Sequence, residues 1–157
     1  MMVANIRDVS VFSGGKAIGL WSTRSGNCAT VRYRDGRWYL VAEVTGFSPR
    51  NVPNKAWFVD EKNFIAIGSD KVGRCLDGKL TLQTLQVGGA EYPANELSIA
   101  WGQDLNHYWT ADLRGNIFHF DGARWKLAVG GPELKEKQKF EALWSAKDGS
   151  KIGRAHV

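Results

Sequence analysis

The stretch LSIAWGQDLNHYWTADLRGNIFHFDGARWKLAV, residues 97–129, decides the fold because it holds four β-prone runs separated by turn residues. The runs cover residues 97–101, 107–111, 116–120 and 125–129. Each has the length and the β-branched or aromatic content that are typical of a strand. Asp121-Gly122 precedes the last run and is a strong tight-turn signal, because glycine accepts a positive φ without steric cost. The stretch therefore predicts one antiparallel sheet of four strands.

The same pattern recurs along the chain at a nearly constant period. The segments DVSVFSGG, NKAWFVDE, LSIAWGQD and EALWSAKD each place one aromatic residue at the same point, namely Phe12, Trp57, Trp101 and Trp144. These marker aromatics are 45, 44 and 43 residues apart, and Asp-Gly pairs recur at positions 35, 77 and 121. A period of about 40–50 residues with several short apolar runs is the signature of a β-propeller blade.

The internal lengths of the copies agree as well as their period. Trp57 and Asp77 are 20 residues apart, as are Trp101 and Asp121. In the second copy, the runs over 64–67 and 80–87 are expected to be the second and fourth strands. The first copy is looser, because its third run is three residues longer, and a longer hairpin or a bulge there would absorb the difference. A β-sandwich also has closely spaced turns, but it gives no reason for a spacing of about 44 residues.

The predicted fold class is all-β, a partial β-propeller of three four-stranded antiparallel blades plus the start of a fourth. We place the domain at 1–151, with blades at about 8–46, 55–88, 96–130 and 140–151. One blade cannot bury both of its faces alone, so each marker aromatic is expected to fill the same pocket between neighbouring blades. The missing blades are expected to come from the rest of the natural chain.

The last six residues, 152–157, are interpreted separately. Ile-Gly-Arg-Ala-His-Val resembles the translation of a sequencing adapter and enters where the fourth blade needs its second strand. We predict that 152–157 is a non-native tail and that the chain is a fragment, so tail residues are excluded from fold reasoning.

Charge and cysteine content exclude several classes of function. The formal net charge is +5, but Lys151 and Arg154 belong to the end of the chain, and without them it is +3. The other basic residues are spread over turns and strand edges, which is not the basic stripe of a nucleic-acid-binding protein. No nucleic-acid partner is therefore predicted. No apolar run is long enough to span a membrane. Cys28 and Cys75 lack metal-binding spacing and are expected to be free buried thiols.

No sequence motif carries a reaction, so no catalytic residue, metal or cofactor is assigned. His107 and His119 flank strands of the third copy and are interpreted as structural. Asp60, Asp104 and Asp148 follow the marker aromatics by three or four residues. Because they recur in three of the four copies they are expected to stabilise turns, whereas a catalytic carboxylate pair is normally unique.

A binding surface has to be argued from the loops, where propeller ligands usually lie. If the marker run is the innermost strand, two classes of loop share one rim. One class joins the second and third strands of a blade; the other joins successive blades at 48–54, 90–96 and 132–139. The candidate binding residues on this rim are Arg24, Asp70, Lys71, Asp112 and Arg114.

The repeat unit, a tryptophan followed by an aromatic strand, a Gly-containing strand and a D-G-x-W turn, resembles bacterial propeller repeats of the kelch-like and sensor-propeller type. The chain lacks the Gly-His and Trp-Asp pairs of WD repeats and the Asp-box of sialidases.

This resemblance implies a non-catalytic binding or sensing scaffold that recognises a protein or carbohydrate partner through its rim loops. The alternative is a propeller enzyme, a glycan hydrolase or lyase, with its catalytic residues on missing blades. The sequence leaves the question of enzyme activity and the cellular location open.

Overall fold

The computed structural model of the protein describes residues 5–23, 25, 27–92, 97–130, 140–145 and 152–156. Within these residues the chain forms three four-stranded antiparallel sheets and two two-stranded pairs, and it contains no α-helix. Each four-stranded sheet holds four consecutive strands in sequence order. The prediction of all-β, four-stranded antiparallel blades is confirmed.

The strands fall into blades as follows. Blade 1 contains β1 (Asn5–Val11), β2 (Ala17–Ser22), β3 (Cys28–Arg34) and β4 (Arg37–Val44). Blade 2 contains β5 (Lys55–Phe58), β6 (Phe64–Ile67), β7 (Lys71–Leu76) and β8 (Lys79–Thr84). A hairpin, β9 (Gln86–Val87) and β10 (Ala90–Glu91), precedes blade 3, which contains β11 (Leu97–Asp104), β12 (His107–Asp112), β13 (Ile117–Phe120) and β14 (Trp125–Val129). A last pair, β15 (Phe140–Ser145) and β16 (Ile152–His156), follows.

The blades are arranged with their first strands side by side. Strands β1, β5, β11 and β15 lie next to one another in series, whereas β4, β8 and β14 form the opposite edges of their sheets. The first strand of each blade is therefore the innermost and the fourth the outermost. The predicted tail residues form β16, which pairs with β15; their origin stays a prediction.

The core lies between the blades rather than inside any one of them. One cluster joins Ile18 and Leu20 of blade 1 to Phe58 and Phe64 of blade 2. A second joins the opposite face of blade 2 to blade 3; its fully buried members include Ile65, Ile67, Leu97, Tyr108 and Phe118. Both faces of blade 2 are thus covered by neighbours, as the repeat predicted.

Two of the marker aromatics, Trp57 and Trp101, lie at interfaces between blades, whereas the side chain of Trp144 lies outside the described part of the protein. Trp57 packs against the second cluster, and its ring centre is 6.2 Å from that of Trp101. Trp101 packs against Trp109 on the far face of blade 3. Gly102 lies directly under the Trp57 ring, because a Cβ there would be 2.5 Å from a ring carbon.

The alignment of Phe12 with the two tryptophans is wrong in register. Trp57 and Trp101 are opposite Ile65 and Trp109 on the second strands, but Leu20 is opposite Asp8. Phe12 follows the end of β1 and packs against the first cluster. A 3₁₀ turn at Ser13–Gly15 lengthens this hairpin, which explains the displacement. Asp8 instead accepts a hydrogen bond from the Ala56 N–H of blade 2 at 2.9 Å.

One arginine connects blade 1 to blade 2, and another connects blade 2 to blade 3. Arg32 on β3 forms an ion pair with Glu61, which lies in the first hairpin turn of blade 2. Arg74 on β7 donates from Nε to the Leu105 carbonyl at 2.7 Å and from a guanidinium N–H to Asn106, in the first hairpin turn of blade 3. These bonds set how far one blade is shifted along the next.

The Asp-Gly turns are confirmed at the three predicted places. Asp35 and Gly36 have φ of 50° and 77°, and Asp77 and Gly78 have 50° and 81°. Two successive positive φ values define the two-residue hairpin turn that suits the twist of paired strands. The third turn is longer, because the Asp121 N–H donates to the Arg124 carbonyl.

One strand prediction is wrong. The sequence favours a single strand over 80–87, but the chain leaves β8 at Thr84 and forms the hairpin β9–β10. Leu85 is fully buried between the two strands, and Gly88 and Gly89 both have positive φ. The apolar alternation of β8 continues through Leu85, so the sequence pattern does not show that the strand ends at Thr84.

We expect Gly102→Ala to destabilise the protein, since the new methyl group overlaps the Trp57 ring. The cost is about 1–3 kcal/mol, as for overpacking of other cores. It should shrink in a Trp57→Leu background, where the ring is absent. Urea unfolding of the four variants measures both values; equal stability of Gly102→Ala and the parent protein would contradict the packing described.

We also expect stability to depend on His119, whose ring is stacked on Trp109 at 4.4 Å. Burial, and then the nearby His107, hold the pKa of His119 below its usual value. The unfolded chain therefore binds a proton more readily, and the free energy of unfolding falls as the pH drops through about 6.5. The slope is at most about 1.4 kcal/mol per pH unit for one proton. His119→Gln should flatten this dependence in urea titrations between pH 7.5 and 5.5; an unchanged slope would contradict it.

Candidate functional site

The described parts of the two predicted classes of loop meet at one rim around residues 48–54 and 68–70, whereas most of 90–96 and all of 132–139 lie outside the described residues. The Asp70 N–H, in the loop between β6 and β7, donates to Asn51 Oδ1 of the connector between blades 1 and 2 at 3.3 Å. The Leu97 N–H, where blade 3 begins, donates to the Ser69 carbonyl of the same loop at 3.0 Å. The loops of one blade and the connectors to the next thus support each other.

Close packing makes this part of the rim rigid. Asn51 is buried, and its amide group lies so near Gly68 that a Cβ there would be 2.0 Å from Asn51 Oδ1. The Asn54 N–H donates to the Ile67 carbonyl at 2.9 Å, and the Ser22 hydroxyl donates to the Pro53 carbonyl at 3.2 Å. Any ligand of this rim meets a preformed surface.

The structure places three of the candidate binding residues as follows. Asp70 is exposed on the rim. Lys71 begins β7, and its ammonium group donates to the Thr84 hydroxyl at 2.7 Å, so it points along the sheet toward the outer strand. Arg24 lies outside the described residues.

Asp112 ends β12, and Arg114 lies in the loop between β12 and β13. Asp112 is fully buried, and its carboxylate accepts hydrogen bonds from the Arg114 N–H, the Asn116 N–H and the Asn116 side-chain amide at 2.8–2.9 Å. Asp112 therefore shapes the loop, and the exposed Arg114 is the member that faces solvent. Asp70 and Arg114 are the two candidates whose exposure suits a contact residue.

The predicted turn role of the recurring aspartates is confirmed at two positions. Asp60 Oδ1 accepts from the Lys62 and Asn63 N–H groups, and Asp104 Oδ1 accepts from those of Asn106 and His107. Burial alone would raise the pKa of each carboxyl, but these hydrogen bonds hold the pKa below its usual value. Asp148 lies outside the described residues.

A pocket at the rim end of blade 1 was missed by sequence reasoning. It has a volume of about 360 Å³ and is lined by residues that include Trp21, Asn27, Glu43, Thr45 and Phe47. The Trp21 indole N–H is buried without a hydrogen-bond partner among the described residues. An unpaired buried donor costs about 1–3 kcal/mol, whereas the exposed Glu43 carboxylate is a charged group of this pocket that a ligand can reach.

A larger open cleft of about 760 Å³ lies on the outer side, between β8, the β9–β10 hairpin and β14. Gln83, Gln86, Trp125 and Lys126 are among its lining residues. Two of its polar groups are already engaged: Gln83 accepts from the Tyr108 hydroxyl, and Lys126 pairs with Asp121 at 2.6 Å. Sequence reasoning missed this cleft because the hairpin that forms one wall was not predicted.

The described part of the chain offers little for nucleophilic or metal chemistry. Cys28 and Cys75 are buried thiols outside any disulfide, as predicted, and burial raises the pKa of the Cys28 thiol to about 11. No group of three His, Cys, Asp or Glu side chains in the described ranges could hold a metal ion. Those ranges also contain no helix long and apolar enough to cross a membrane.

Comparisons with known proteins support the architecture. No family model matches the sequence, and no curated protein matches it. Among solved structures, the chain resembles the C-terminal WD40 domain of Sif2, with 15% identity and a TM-score of 0.61 over 96% of this chain and 43% of that one. It also resembles YCF48 bound to a D1 peptide (12%, 0.61, 90% and 45%) and YCF48 from Cyanidioschyzon merolae (16%, 0.61, 98% and 48%).

These likenesses show the fold: the chain is a partial β-propeller. It spans less than half the length of each of these three solved chains. The WD40 likeness holds although the Trp-Asp and Gly-His pairs are absent from the sequence, so blade geometry does not depend on that signature.

We expect Asp112→Ala to destabilise the protein by about 2 kcal/mol or more, because buried N–H groups lose their acceptor. Asp104→Ala is the matched control. It removes the same kind of turn bond from a carboxylate that is 54% exposed, where water can replace it, so the cost should stay below about 1 kcal/mol. Thermal and urea unfolding measure both; equal costs would contradict the buried role of Asp112.

Proposed function

We propose that the chain is a non-catalytic binding or sensing scaffold that recognises a partner protein through its rim. The observation that carries this proposal is the rim pocket of blade 1. It combines the exposed Glu43 carboxylate with the aromatic rings of Trp21 and Phe47. A peptide supplies N–H groups that would donate to the carboxylate, and an apolar side chain would contact the rings.

The fold neighbours support a protein partner over other ligands. One of them is solved with a D1 peptide bound, so a propeller of similar architecture accommodates a peptide. For this chain, the exposed Asp70 and Arg114 would add charged contacts elsewhere on the same rim. Membership of the kelch-like type and a bacterial source remain predictions from the sequence.

Two alternatives remain proposals of lower rank. A carbohydrate partner would use aromatic stacking, and Trp21 is the aromatic residue of the rim pocket that suits it. A propeller enzyme would need its acid and base on blades outside this chain. Cleavage of a polysaccharide by the full-length protein, lost on substitution of its loop carboxylates, would replace the scaffold proposal by the enzyme.

Selection from a displayed random-peptide library, followed by binding measurements on the selected peptides, tests the scaffold proposal. Glu43→Gln keeps the size of the side chain and removes its charge, so it should weaken peptide binding about threefold to tenfold without loss of stability. Asp77→Asn removes one negative charge from an exposed turn at the opposite end of blade 2, so it is the matched control and should have no effect. Selected peptides that bind equally well to Glu43→Gln, or whose NMR shift changes map away from the rim, would overturn the proposal.

A further inference from the structure

The hairpin of β3 and β4 is longer than the corresponding hairpins of blades 2 and 3, and its tip lies at the end of the sheet opposite the rim. Every residue from 32 to 40 is exposed. Arg34 is directly opposite Arg37, and Arg32 is directly opposite Tyr39. Because side chains two residues apart share one face of a sheet, these four residues form a single patch, which we call the arginine face.

The arginine face carries unbalanced positive charge. Arg32 pairs with Glu61, and Arg34 pairs with Asp35 at 3.1 Å. Arg37 has no carboxylate within ion-pair distance among the described residues. Like charges directly opposite each other on paired strands are destabilising, so the Arg34–Arg37 pair lowers the stability of the free hairpin. A negatively charged partner would remove that repulsion.

The strand that carries Arg37 is also an open sheet edge. β4 ends its sheet, and no described strand pairs with its outer side. Arg37, Trp38, Tyr39 and Leu40 are all exposed, with Leu40 at 62%. An exposed edge strand with large apolar residues is a template for pairing with another chain. A bulge between Leu40 and Ala42 interrupts the regular ladder, so the free edge is four residues long.

We propose that residues 37–40 bind an extended acidic segment of a partner protein, which adds as a fifth strand to blade 1. Acidic side chains at every second position of that segment lie over the arginine face. A cleft of about 320 Å³ beside the edge receives one of them; it is lined by Arg32, Arg34, Asp35, Tyr39, Leu40 and Val41, and Arg34 neutralises Asp35 at 3.1 Å. Apolar side chains at the alternate positions lie beside Trp38 and Leu40, on the opposite face of the strand.

The observations favour a peptide over a nucleic acid. Three guanidinium groups face two carboxylates, which leaves an excess of one positive charge. Nucleic-acid binding proteins commonly neutralise several phosphates at once, about 6–10 in well-studied cases. A sheet edge supplies backbone hydrogen bonds that an extended peptide can complete.

The test uses the whole chain and a synthetic peptide of about ten residues with alternating Glu and Val. Its controls are a peptide with the same composition in two blocks and a peptide with Lys in place of Glu. We expect the alternating acidic peptide to bind best, and hydrogen exchange at the amides of residues 37–40 to slow on binding. Equal binding of the block peptide, or no protection at 37–40, would overturn strand addition.

Charge-reversal variants identify the arginine face. Arg34→Glu combined with Arg37→Glu should weaken the acidic peptide roughly tenfold and favour the Lys-containing peptide. Lys79→Glu is the matched control, because Lys79 follows the Asp-Gly turn of blade 2 as Arg37 follows that of blade 1. Lys79→Glu should leave binding unchanged; if it weakens binding as much, attraction by net charge explains the result and the proposal is wrong.

Single substitution of Arg37 separates binding from folding. Arg37→Glu places opposite charges across the strands, so it should raise the urea midpoint while it weakens the acidic peptide. A variant that loses binding because it unfolds would show a lower midpoint, which would contradict the proposal. Tighter binding of a heparin oligosaccharide or of single-stranded oligothymidylate than of the acidic peptide would also overturn it.

Discussion

The whole structure depends on one constraint: a four-stranded blade has two apolar faces and can cover neither alone. The contact that meets it most directly is the Trp57 ring on the backbone of Gly102. An indole placed against a residue with no side chain allows blades 2 and 3 to approach closely. From there aromatic contacts continue through Trp101 and Trp109 to His119. Packing against the next blade thus fixes the position of each blade, and the rim loops are positioned by the strands that they join.

Apolar packing alone does not decide how far one blade slides along its neighbour, because dispersion contacts are not directional. The polar bonds between blades supply that information. Asp8 accepts from the Ala56 N–H at the inner strands, and Arg74 bonds the turn of blade 3 farther out. Their partners are fixed backbone groups, so a shift of one residue would break them. The same reasoning explains why the rim connector is held through Asn51 rather than through apolar contacts alone.

Sequence reasoning predicted what repeats and missed what occurs once. The strand over residues 64–67 and the Asp-Gly turns follow from local patterns that recur in every copy. Phe12 was placed in the wrong register because the 3₁₀ turn at Ser13–Gly15 changes the length of a single hairpin. The β9–β10 hairpin was missed because Leu85 continues the apolar alternation of β8, although the strand ends at Thr84 and Leu85 is buried.

The rim pocket was missed because it depends on Trp21 and Glu43 lying close together, which spacing in sequence does not reveal. Asp112 was predicted to be a binding residue on the rim, but its side chain is fully buried. The sequence does not distinguish the two cases, because a buried and an exposed aspartate begin turns equally well.

At the outer edge of a blade, positive charge can prevent pairing with a second copy of the chain and still permit pairing with an acidic strand. The edge of β14 lies against the β9–β10 hairpin. Among the described residues no element covers the edge of β4, which carries Arg37 and lies beside Arg34 of β3. If two copies of the chain paired edge to edge through β4, Arg34 and Arg37 of each would meet those of the other, and like charges across an interface are strongly unfavourable. Charged residues on an edge strand are a common protection against self-pairing. Because positive charge repels a second copy and attracts an acidic strand, protection of this edge and selection of its partner follow from the same two side chains.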